Sequence, residues 1–571
     1  MKIAVAQDLN EFFFIEKKLN DKDIHWLPLD LDVLLYCHNK KIKYIDPINI
    51  VGNKLQEDGI LSLSKLEDEI KKINFKYEIL TKEIFLLLRN YLSSIVFVYE
   101  VISKIKNLKS VYVSGWDIYE GPNVSKIKKK NYFVSSIVKS IFTEKNVIVL
   151  EKNNLNKNPD NTNIKYIYEF SKINLSNKKN ILITNRFYNF KRIIMYFIKN
   201  KKIKCFLPFF PEDKKNFKDH ILSFLGIQSI EFKKKTIQSN INISSTPFRK
   251  IQFKYKSLDL SNIINQRLNQ LKPFLLDQEL RSDAIKKMLE QFNFDLVVSN
   301  VVRKTSGMFI ENSIKLKIKS FCISHGTISE SYNKYDNIYK KIVLDSVINI
   351  NSDFIAAQSK ITTKGLNNFN IKKEKVLETG NILFSENNKL FKSKRNKILY
   401  AVTNKNFFNI QFYGVEQYYE FFSNLVFLNS ISDKNKLEIL VQIHPNYHYL
   451  KNDLVHTFKN LTFSTDNIDN NLKKSYVTIS FSSTTIEDSL FNKVPVILFD
   501  RWKRYLHFKP NKSNKKDVLY YINNKQDLVN KIYDLKKMKE HDFNQYIFQG
   551  KSNQNISNVF NKILKLEKNY A

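Results

Sequence analysis

Cysteine is scarce in this 571-residue chain, and its three copies lie far apart at Cys37, Cys205 and Cys322. Such spacing builds neither a disulfide framework nor a C-x-x-C metal knuckle. The amino terminus, MKIAVAQDLNEFFF, lacks the basic segment, apolar segment and cleavage site of a signal peptide. The most apolar stretch, 84–102, is interrupted by charged residues and falls short of a clean membrane span of about 20 residues. These absences predict a soluble cytosolic protein.

Glycine is also rare, and no glycine-rich nucleotide motif is present. The chain contains neither G-x-G-x-x-G nor G-x-x-x-x-G-K-[ST], which argues against dinucleotide dehydrogenases and P-loop NTPases. It also lacks the G-x-S-x-G motif of α/β-hydrolases. Asp30-Leu31-Asp32 has the spacing of a D-x-D metal motif, but it follows a strand-like segment with a proline and receives little weight. We therefore expect no metal site and no cofactor.

Acidic residues are outnumbered: 93 Lys and Arg face 56 Asp and Glu, for a net charge of +37. A basic balance is typical of nucleic-acid binding, because such residues neutralise phosphates. Here the excess is lysine spread along the whole chain, with no zinc-finger, RRM-type or basic-heptad pattern. We expect no specific nucleic-acid partner, although a non-catalytic nucleic-acid-binding protein stays the alternative of another class. Contact with an anionic membrane is a third possibility, since each basic residue near lipid contributes about 1 kcal/mol.

Strand-like and helix-like segments alternate through much of the chain, which predicts an α/β fold. The length predicts two or three domains at roughly 100–200 residues each. Phe294–Ser299 as a strand, about Met308–Lys317 as a helix and Ser320–Ser324 as a strand make one β-α-β unit. The polar, basic segment 385–396 is the best linker candidate, and the alternation restarts after it. We predict two Rossmann-like domains facing a cleft, with no topology assigned to 151–255.

A run of hydroxyl side chains follows the predicted strand Tyr476–Phe481, at Ser482, Ser483, Thr484 and Thr485. Hydroxyls and free backbone N–H groups at the start of a helix favour an anion such as a nucleotide phosphate. The alternative is an ordinary helix N-cap. Glu487 lies in the first helical turn, where it either accepts a ribose or sugar hydroxyl or closes a capping box.

Two histidines follow predicted strands. His444-Pro445 comes directly after Leu437–Ile443, and the proline stops that strand. A histidine there can donate to a phosphate oxygen or protonate a leaving group. His325 ends the β-α-β unit, where Gly326 allows close approach of a ligand. The alternative for His325 is a tight turn with a solvent-facing ring.

Carboxylates that follow the early strands are candidates for the general base. Asp8 and Glu11 come after the first strand, Lys2–Ala6, and Asp8 equally fits the N-cap of the next helix. Asp117 and Glu120 come after Val111–Val113 and compete for the same role. The sequence does not choose between these carboxylates.

The His-Pro pair and the later Ser-Ser-Thr-Thr run, followed by Glu487 and Val-Pro-Val-Ile, resemble the C-terminal domain of GT-B-type glycosyltransferases. Most similar are enzymes of bacterial surface polysaccharide synthesis, namely Kdo-transferase-like and sialyltransferase-like capsule enzymes and the related glycerophosphotransferases. The segments FCISHGTI and Glu378–Asn381 (ETGN) resemble elements at the end of their N-terminal domain. The resemblance covers about residues 294–500. The acidic signature of the sialyltransferase base is absent, and Tyr119-Glu120-Gly121 is only a partial echo of it.

The resemblance implies a metal-independent glycosyltransferase of GT-B architecture. It assigns the donor phosphate, often that of a CMP-activated sugar such as sialic acid or Kdo, to His444, Pro445 and the hydroxyl run. Residues 1–384 would be the acceptor-side domain with helical insertions, 397–535 the nucleotide-sugar-binding domain and 536–571 a helical segment packing back on the first. The acceptor would be a surface glycan or lipid-linked molecule, reached at the inner face of the membrane. A nucleotide-sugar 2-epimerase or a polyol-phosphate transferase is the alternative on the same fold.

Overall fold

The structure is a computed structural model of the chain. It describes residues 1–571 except 20–22, 52–53, 120–130, 143–146, 152–165, 186–189, 214–216, 238–248, 325, 385–394, 403–417, 482, 503–515 and 567–571.

The first unit contains a small parallel sheet and two long helices. Its elements are β1 (Lys2–Ala6), α1 (Leu9–Lys18), β2 (Ile24–Pro28), α2 (Leu31–Asn39), α3 (Pro47–Val51), α4 (Lys54–Lys71), α5 (Glu78–Ser103), β3 (Ser110–Val113), β4 (Ile118–Tyr119), β5 (Asn131–Tyr132), α6 (Val134–Ile141) and β6 (Val147–Val149). The sheet has the order β2-β1-β3-β6. Asp8 and Asp30 cap α1 and α2, so each helix begins directly after a strand.

The second unit is built on a larger sheet. Its elements are β7 (Tyr166–Phe170), β8 (Lys179–Ile183), α7 (Lys191–Lys199), β9 (Ile203–Phe209), α8 (Phe217–Phe224), β10 (Gln228–Thr236), β11 (Lys254–Tyr255), β12 (Leu258–Asp259), α9 (Ser261–Gln291), β13 (Leu296–Ser299), α10 (Lys304–Lys315), β14 (Ser320–Cys322), α11 (Lys334–Val347), β15 (Phe354–Ala357), α12 (Lys360–Asn368) and β16 (Val376–Glu378). The order is β16-β15-β14-β13-β8-β9-β10-β7. The pairing is parallel except between β10 and β7.

The third unit is a six-stranded parallel sheet with helices. Its elements are β17 (Lys397–Tyr400), α13 (Tyr418–Asn435), β18 (Ile439–Gln442), a 3₁₀ turn (Pro445–Leu450), α14 (Lys451–Thr457), β19 (Thr462–Ser464), α15 (Ile468–Lys474), β20 (Ser475–Ser480), α16 (Thr485–Phe491), β21 (Val496–Phe499), β22 (Leu519–Ile522), α17 (Lys525–Lys537) and α18 (Ser552–Leu564). The strand order is β19-β18-β17-β20-β21-β22. Numbered along the chain this is 3-2-1-4-5-6, the order of a Rossmann fold.

The prediction of an α/β fold with Rossmann-like units is confirmed by these parallel sheets. The stretch 1–384, predicted as one acceptor-side domain, contains two separate sheets. Most of the predicted linker, 385–394, lies outside the described residues. The final helix, α18, packs on α7 of the second unit, where the Phe560 and Phe197 rings meet edge to face with centroids 4.7 Å apart.

Helix α5 is the central packing element of the molecule. In the part of the chain that the structure describes, it is the one helix long and apolar enough to cross a membrane, and 72% of its apolar window is buried inside the protein. At its start, Ile79 lies where a Cβ on Gly307 of α10 would clash, so the glycine permits close packing. Near its end, the Phe97 ring stacks on Tyr419 of α13, with centroids 5.7 Å apart. The helix thus contacts both other units.

We expect Phe97→Ala to destabilise the chain by about 3–5 kcal/mol, because it removes a fully buried ring and the stacking contact of that ring with Tyr419. Urea unfolding followed by circular dichroism measures the change. Val426→Ala is the control, since Val426 of α13 is 42% exposed and should change stability by about 0.5 kcal/mol or less. Equal unfolding midpoints for Phe97→Ala and the unmodified chain would contradict the central role of α5.

Candidate functional site

Each main sheet has one topological switch point, where the strand order reverses. In open α/β sheets, ligands bind at the carboxyl ends of the strands beside this point. The switch points lie between β1 and β3, between β8 and β13, and between β17 and β20. The segments that follow these strands are therefore where a site is expected.

The carboxyl edge of the third sheet faces those of the other two. Thr327, in the loop after β14, donates a hydrogen bond to Glu487 Oε1 of α16. Tyr447, in the turn after β18, donates to Asp30 Oδ1 at 2.8 Å, and Asp30 follows β2. These two contacts bring segments from all three carboxyl edges into one region.

The hydroxyl run begins at the switch point of the third sheet. Ser480 Oγ donates to the Ala401 carbonyl after β17 at 2.6 Å, which ties the two strand ends together. Ser483 Oγ donates to Thr485 Oγ1 at 3.1 Å and accepts from the Thr485 backbone N–H at 3.3 Å. Thr484 occupies the N-cap position without a side-chain cap hydrogen bond. Ser482 lies outside the described residues.

Glu487 is fully buried between the second and third units. Burial raises the pKa of its carboxyl group to about 8, although the hydrogen bond from Thr327 opposes the shift. Among the described residues, Oε2 has no hydrogen-bond partner. Oε1 accepts from Thr327 of the other sheet rather than from the N-cap residue, so the carboxyl group faces the junction of the units. An unpartnered buried oxygen at this place is ready to accept from a ligand hydroxyl.

His444 lies on the same carboxyl edge, one strand further out than the hydroxyl run. It is partly buried, and its carbonyl accepts from the Tyr447 backbone N–H at 2.8 Å, which closes the turn begun by Pro445. Strands β18 and β20 flank β17, so the backbones at His444 and Ser483 follow strands about 10 Å apart. That spacing suits a ligand longer than one phosphate group. The loop after β17, 403–417, lies outside the described residues.

Asp8 and Glu11 lie at the switch point of the first sheet. Asp8 Oδ1 accepts from the Glu11 backbone N–H at 2.9 Å, and its Oδ2 accepts from Tyr132 Oη at 2.6 Å. Glu11 is buried and accepts from the Gln7 backbone N–H at 2.7 Å and from Ser114 Oγ. Burial raises the pKa of Glu11 to about 7, against these two hydrogen bonds. Asp8 is therefore both an N-cap and a partly accessible carboxylate, whereas Glu11 is interior.

Asp117 lies across the same switch point, in the segment after β3. Its Oδ2 accepts from Ser136 Oγ of α6 at 2.7 Å, and the residue is partly buried. The structure thus places Asp117 and Asp8 on neighbouring strand ends, as parallel pairing of β1 and β3 requires. Glu120 and His325 lie outside the described residues, so their assignments stay predictions.

The pairing of Asp30 with Tyr447 could not be predicted from the sequence. Asp30 accepts from the Leu31 backbone N–H at 2.7 Å as well as from Tyr447. Burial and the Asp32 charge raise its pKa well above the usual range. Burial also raises the pKa of Asp32 to about 7. The Asp-Leu-Asp pattern was visible, but its partner lies more than 400 residues away, so no local signal identified it.

No group of three or more His, Cys, Asp or Glu side chains in the part of the chain that the structure describes is arranged to hold a metal ion. The oxygens of Asp30 and Asp32 are instead used by backbone N–H groups and by Tyr447.

No family model matches the chain, and a search of curated proteins finds no match. Among solved structures, it is similar to a UDP-GlcNAc 2-epimerase from Neisseria meningitidis bound to UDP-GlcNAc, with 14% identity, TM-score 0.41 and coverage of 68% of this chain and 99% of that one. The chain is also similar to the lipopolysaccharide outer core galactosyltransferase WaaB, with 12% identity, TM-score 0.37 and coverage of 67% of this chain and 99% of that one. For the calicheamicin glycosyltransferase CalG4 the identity is 9%, the TM-score 0.38 and the coverage 68% of this chain and 95% of that one. Scores this low assign no family, and the architecture stands on the strand order above.

Proposed function

We propose that the chain is a glycosyltransferase of GT-B type that uses a nucleotide-activated sugar. The observation that carries the proposal is Glu487, a fully buried carboxyl group where the carboxyl edges of two sheets meet, with one oxygen that has no partner among the described residues. A buried acid of this kind is stabilised by a ligand hydroxyl, because an unpartnered polar atom costs about 1–3 kcal/mol. Ribose presents two such hydroxyls.

The donor would lie along the carboxyl edge of the third sheet. Its ribose would contact Glu487, and its phosphate would contact Ser483, Thr484 and Thr485, with Ser482 and Pro445 completing the predicted set. His444, one strand further out, would donate to the leaving phosphate. Hydrogen-bond donors fixed where negative charge grows are an effective way to lower a reaction barrier. The step needs no metal in this scheme.

The acceptor would lie against the first unit. Asp8 is the best candidate for the general base, because it is partly accessible and follows a strand at the switch point, with Asp117 facing it across that point. The interior position of Glu11 gives it a supporting role, since its carboxyl group orients Gln7 and Ser114. His325 stays a proposed member of the site. Closure of the units would exclude water and limit hydrolysis of the donor.

CMP-activated sugars are the proposed donors, and a glycan or lipid-linked molecule is the proposed acceptor, on the cytoplasmic face of a membrane. The surface that would contact the membrane is the amino edge of the second sheet. There α8 ends at Phe224, which is 91% exposed, followed by Leu225 at 41%. The neighbouring turn between α7 and β9 exposes Lys201 and Lys202. Exposed apolar groups beside cationic ones suit an anionic lipid surface.

His444→Ala should lower kcat roughly 10²–10³-fold, the usual effect of removing one charge-stabilising donor. The assay incubates the protein with CMP-, UDP- and CDP-linked sugars and follows nucleotide release. His448→Ala is the control. The side chain of this nearby exposed histidine forms a hydrogen bond of 3.2 Å with the Ile443 carbonyl. Full activity of His444→Ala would refute its role. Isomerised sugar without nucleotide release would refute the transferase and favour an epimerase.

Glu487→Gln should change how stability depends on pH. The folded chain holds the pKa of Glu487 at about 8, above the ordinary value of 4.5. The folded state therefore binds the proton more tightly, and stability falls as pH rises from about 4.5 to about 8. The slope is on the order of 1.4 kcal/mol per pH unit at most. Urea unfolding at pH 5, 6.5 and 8 should show the unmodified chain losing stability relative to the variant. A pH-independent difference would contradict the burial of this acid.

The double variant Phe224→Ser, Leu225→Ser should bind anionic vesicles at least about tenfold more weakly, because burial of an aromatic or leucine side chain contributes about 1.5–3 kcal/mol. Co-sedimentation with phosphatidylglycerol and phosphatidylcholine vesicles measures it. Val455→Ser on α14 is the control, as Val455 is 46% exposed on the third unit. Binding that is equal in both variants, or equal on both lipids, would contradict the membrane surface.

A further inference from the structure

Helix α5 carries a buried arginine whose charge is poorly compensated. Arg89 is 5% exposed, and among the described residues its Nε has no hydrogen-bond partner. Ser93, one turn further along the same face, is fully buried, and its Oγ also has no partner there. Burying a charge without a partner is strongly unfavourable, and replacing it by an apolar side chain usually increases stability. The pair is therefore poorly explained by a packing role.

A second arginine lies nearby at the switch point of the second sheet. Arg303 follows β13 and occupies the N-cap position of α10, where it is partly buried. Burial lowers the pKa of Arg89 to about 10, and the Arg303 charge adds to this effect. Burial lowers the pKa of Arg303, and the negative charge of Glu83 opposes this shift. One oxygen of the Glu83 carboxylate also accepts from the Lys304 backbone N–H. The Glu83 carboxylate that opposes the Arg303 charge is thus already engaged by a backbone N–H group.

Arg89 is connected to the third unit through Tyr339 of α11. The Arg89 charge opposes the burial that raises the pKa of Tyr339, and Tyr339 packs in one cluster with Ile60 and Phe481. Phe481 directly precedes the hydroxyl run of the third sheet. Arg303 itself lies at the switch point of the second sheet.

We propose that Arg89, Ser93 and Arg303 form an anion subsite for a phosphate or carboxylate group of the substrate. Guanidinium groups bind such oxyanions through paired N–H donors, and the Ser93 hydroxyl supplies a further donor. The anion would enter past the partly exposed Arg303 and compensate the buried charge of Arg89. The proposal rests on the proposed function for the identity of the substrate, but the subsite is defined by these three residues alone.

The test measures thermal unfolding of the full chain in inorganic phosphate, with ionic strength held constant by chloride. A ligand that binds the folded state raises the midpoint in a saturable way. We expect this rise in the unmodified chain and its loss in Arg89→Met. Without phosphate, Arg89→Met should be at least as stable as the unmodified chain, because it removes a buried charge whose Nε has no hydrogen-bond partner among the described residues. Arg89→Lys should bind about tenfold more weakly, since it keeps the charge but loses the paired donors.

Arg267→Met is the matched control. Arg267 of α9 lies over the ring of Tyr91 on α5, 5.2 Å from the ring centroid. Loss of the Arg267 charge should therefore leave the phosphate effect intact. Arg303→Met and Ser93→Ala provide independent tests if Arg89→Met folds poorly, and each should weaken the effect. An unchanged phosphate effect in these variants, or no effect in the unmodified chain with any of the anions below, would overturn the subsite.

Parallel titrations with the free sugar acid N-acetylneuraminate identify the source of the anion. Stabilisation by the sugar acid that Arg89→Met abolishes assigns the subsite to a carboxylate, and stabilisation by phosphate alone assigns it to a phosphate group. His444→Ala should retain either effect. If the unmodified chain turns over none of the nucleotide-sugars but is still stabilised by the anion, the proposed function is refuted and the anion subsite is supported.

Discussion

The packing of α5 against helices of all three units is the constraint on which the site depends. Its first turns pack on α10, where a glycine at 307 permits the approach. Its middle carries Arg89, and its end stacks Phe97 on Tyr419 of the third unit. Because one helix contacts helices of the other two units, it determines how the three units pack together. Helix α5 is thus a core helix although its composition alone would suit a membrane.

Polar groups accumulate where these edges meet, and burial changes their chemistry. Acids at this junction have raised pKa values because water is excluded, as at Glu487, Asp30 and Asp32. Their hydrogen-bond donors come from other units or from helix starts, so the geometry depends on tertiary packing. Perturbed acids in a junction between domains are typical of functional sites, since a protein core rarely retains them for stability. The first and third units contribute acids and hydroxyls, and the second contributes the Thr327 hydroxyl.

Local sequence patterns predicted much of this architecture. The strand Lys2–Ala6 has the bounds predicted. The predicted strand, helix and strand between 294 and 324 are found as β13, α10 and β14, with ends shifted by at most four residues. The division of 1–384 into two sheets was not predicted, because sheet membership depends on pairing between distant strands. The antiparallel edge formed by β7 was missed for the same reason.

The residues of the candidate site also fall into those that local sequence can identify and those that depend on a distant partner. Residues that directly follow a core strand, such as His444 and Ser483, can be selected from sequence because parallel strands end on one edge. Residues whose importance comes from a distant partner cannot, and Asp30 with Tyr447 is the clearest case. Arg89 was invisible for a further reason. On sequence it interrupts an apolar helix, and its burial, with no hydrogen-bond partner for Nε among the described residues, distinguishes it from a surface charge.

Burial of acids on facing edges couples closure of the units to protonation. Glu487 and Asp30 each accept from a residue of another unit, and burial raises both pKa values. Separation of the units would return these groups to water, where carboxylic acids ionise near pH 4. Rising pH through neutrality would therefore favour separation of the units. A ligand hydroxyl that donates to Glu487 opposes this shift, because it stabilises the closed arrangement in which that oxygen is enclosed. Donor binding and closure would then be linked through a single carboxyl group.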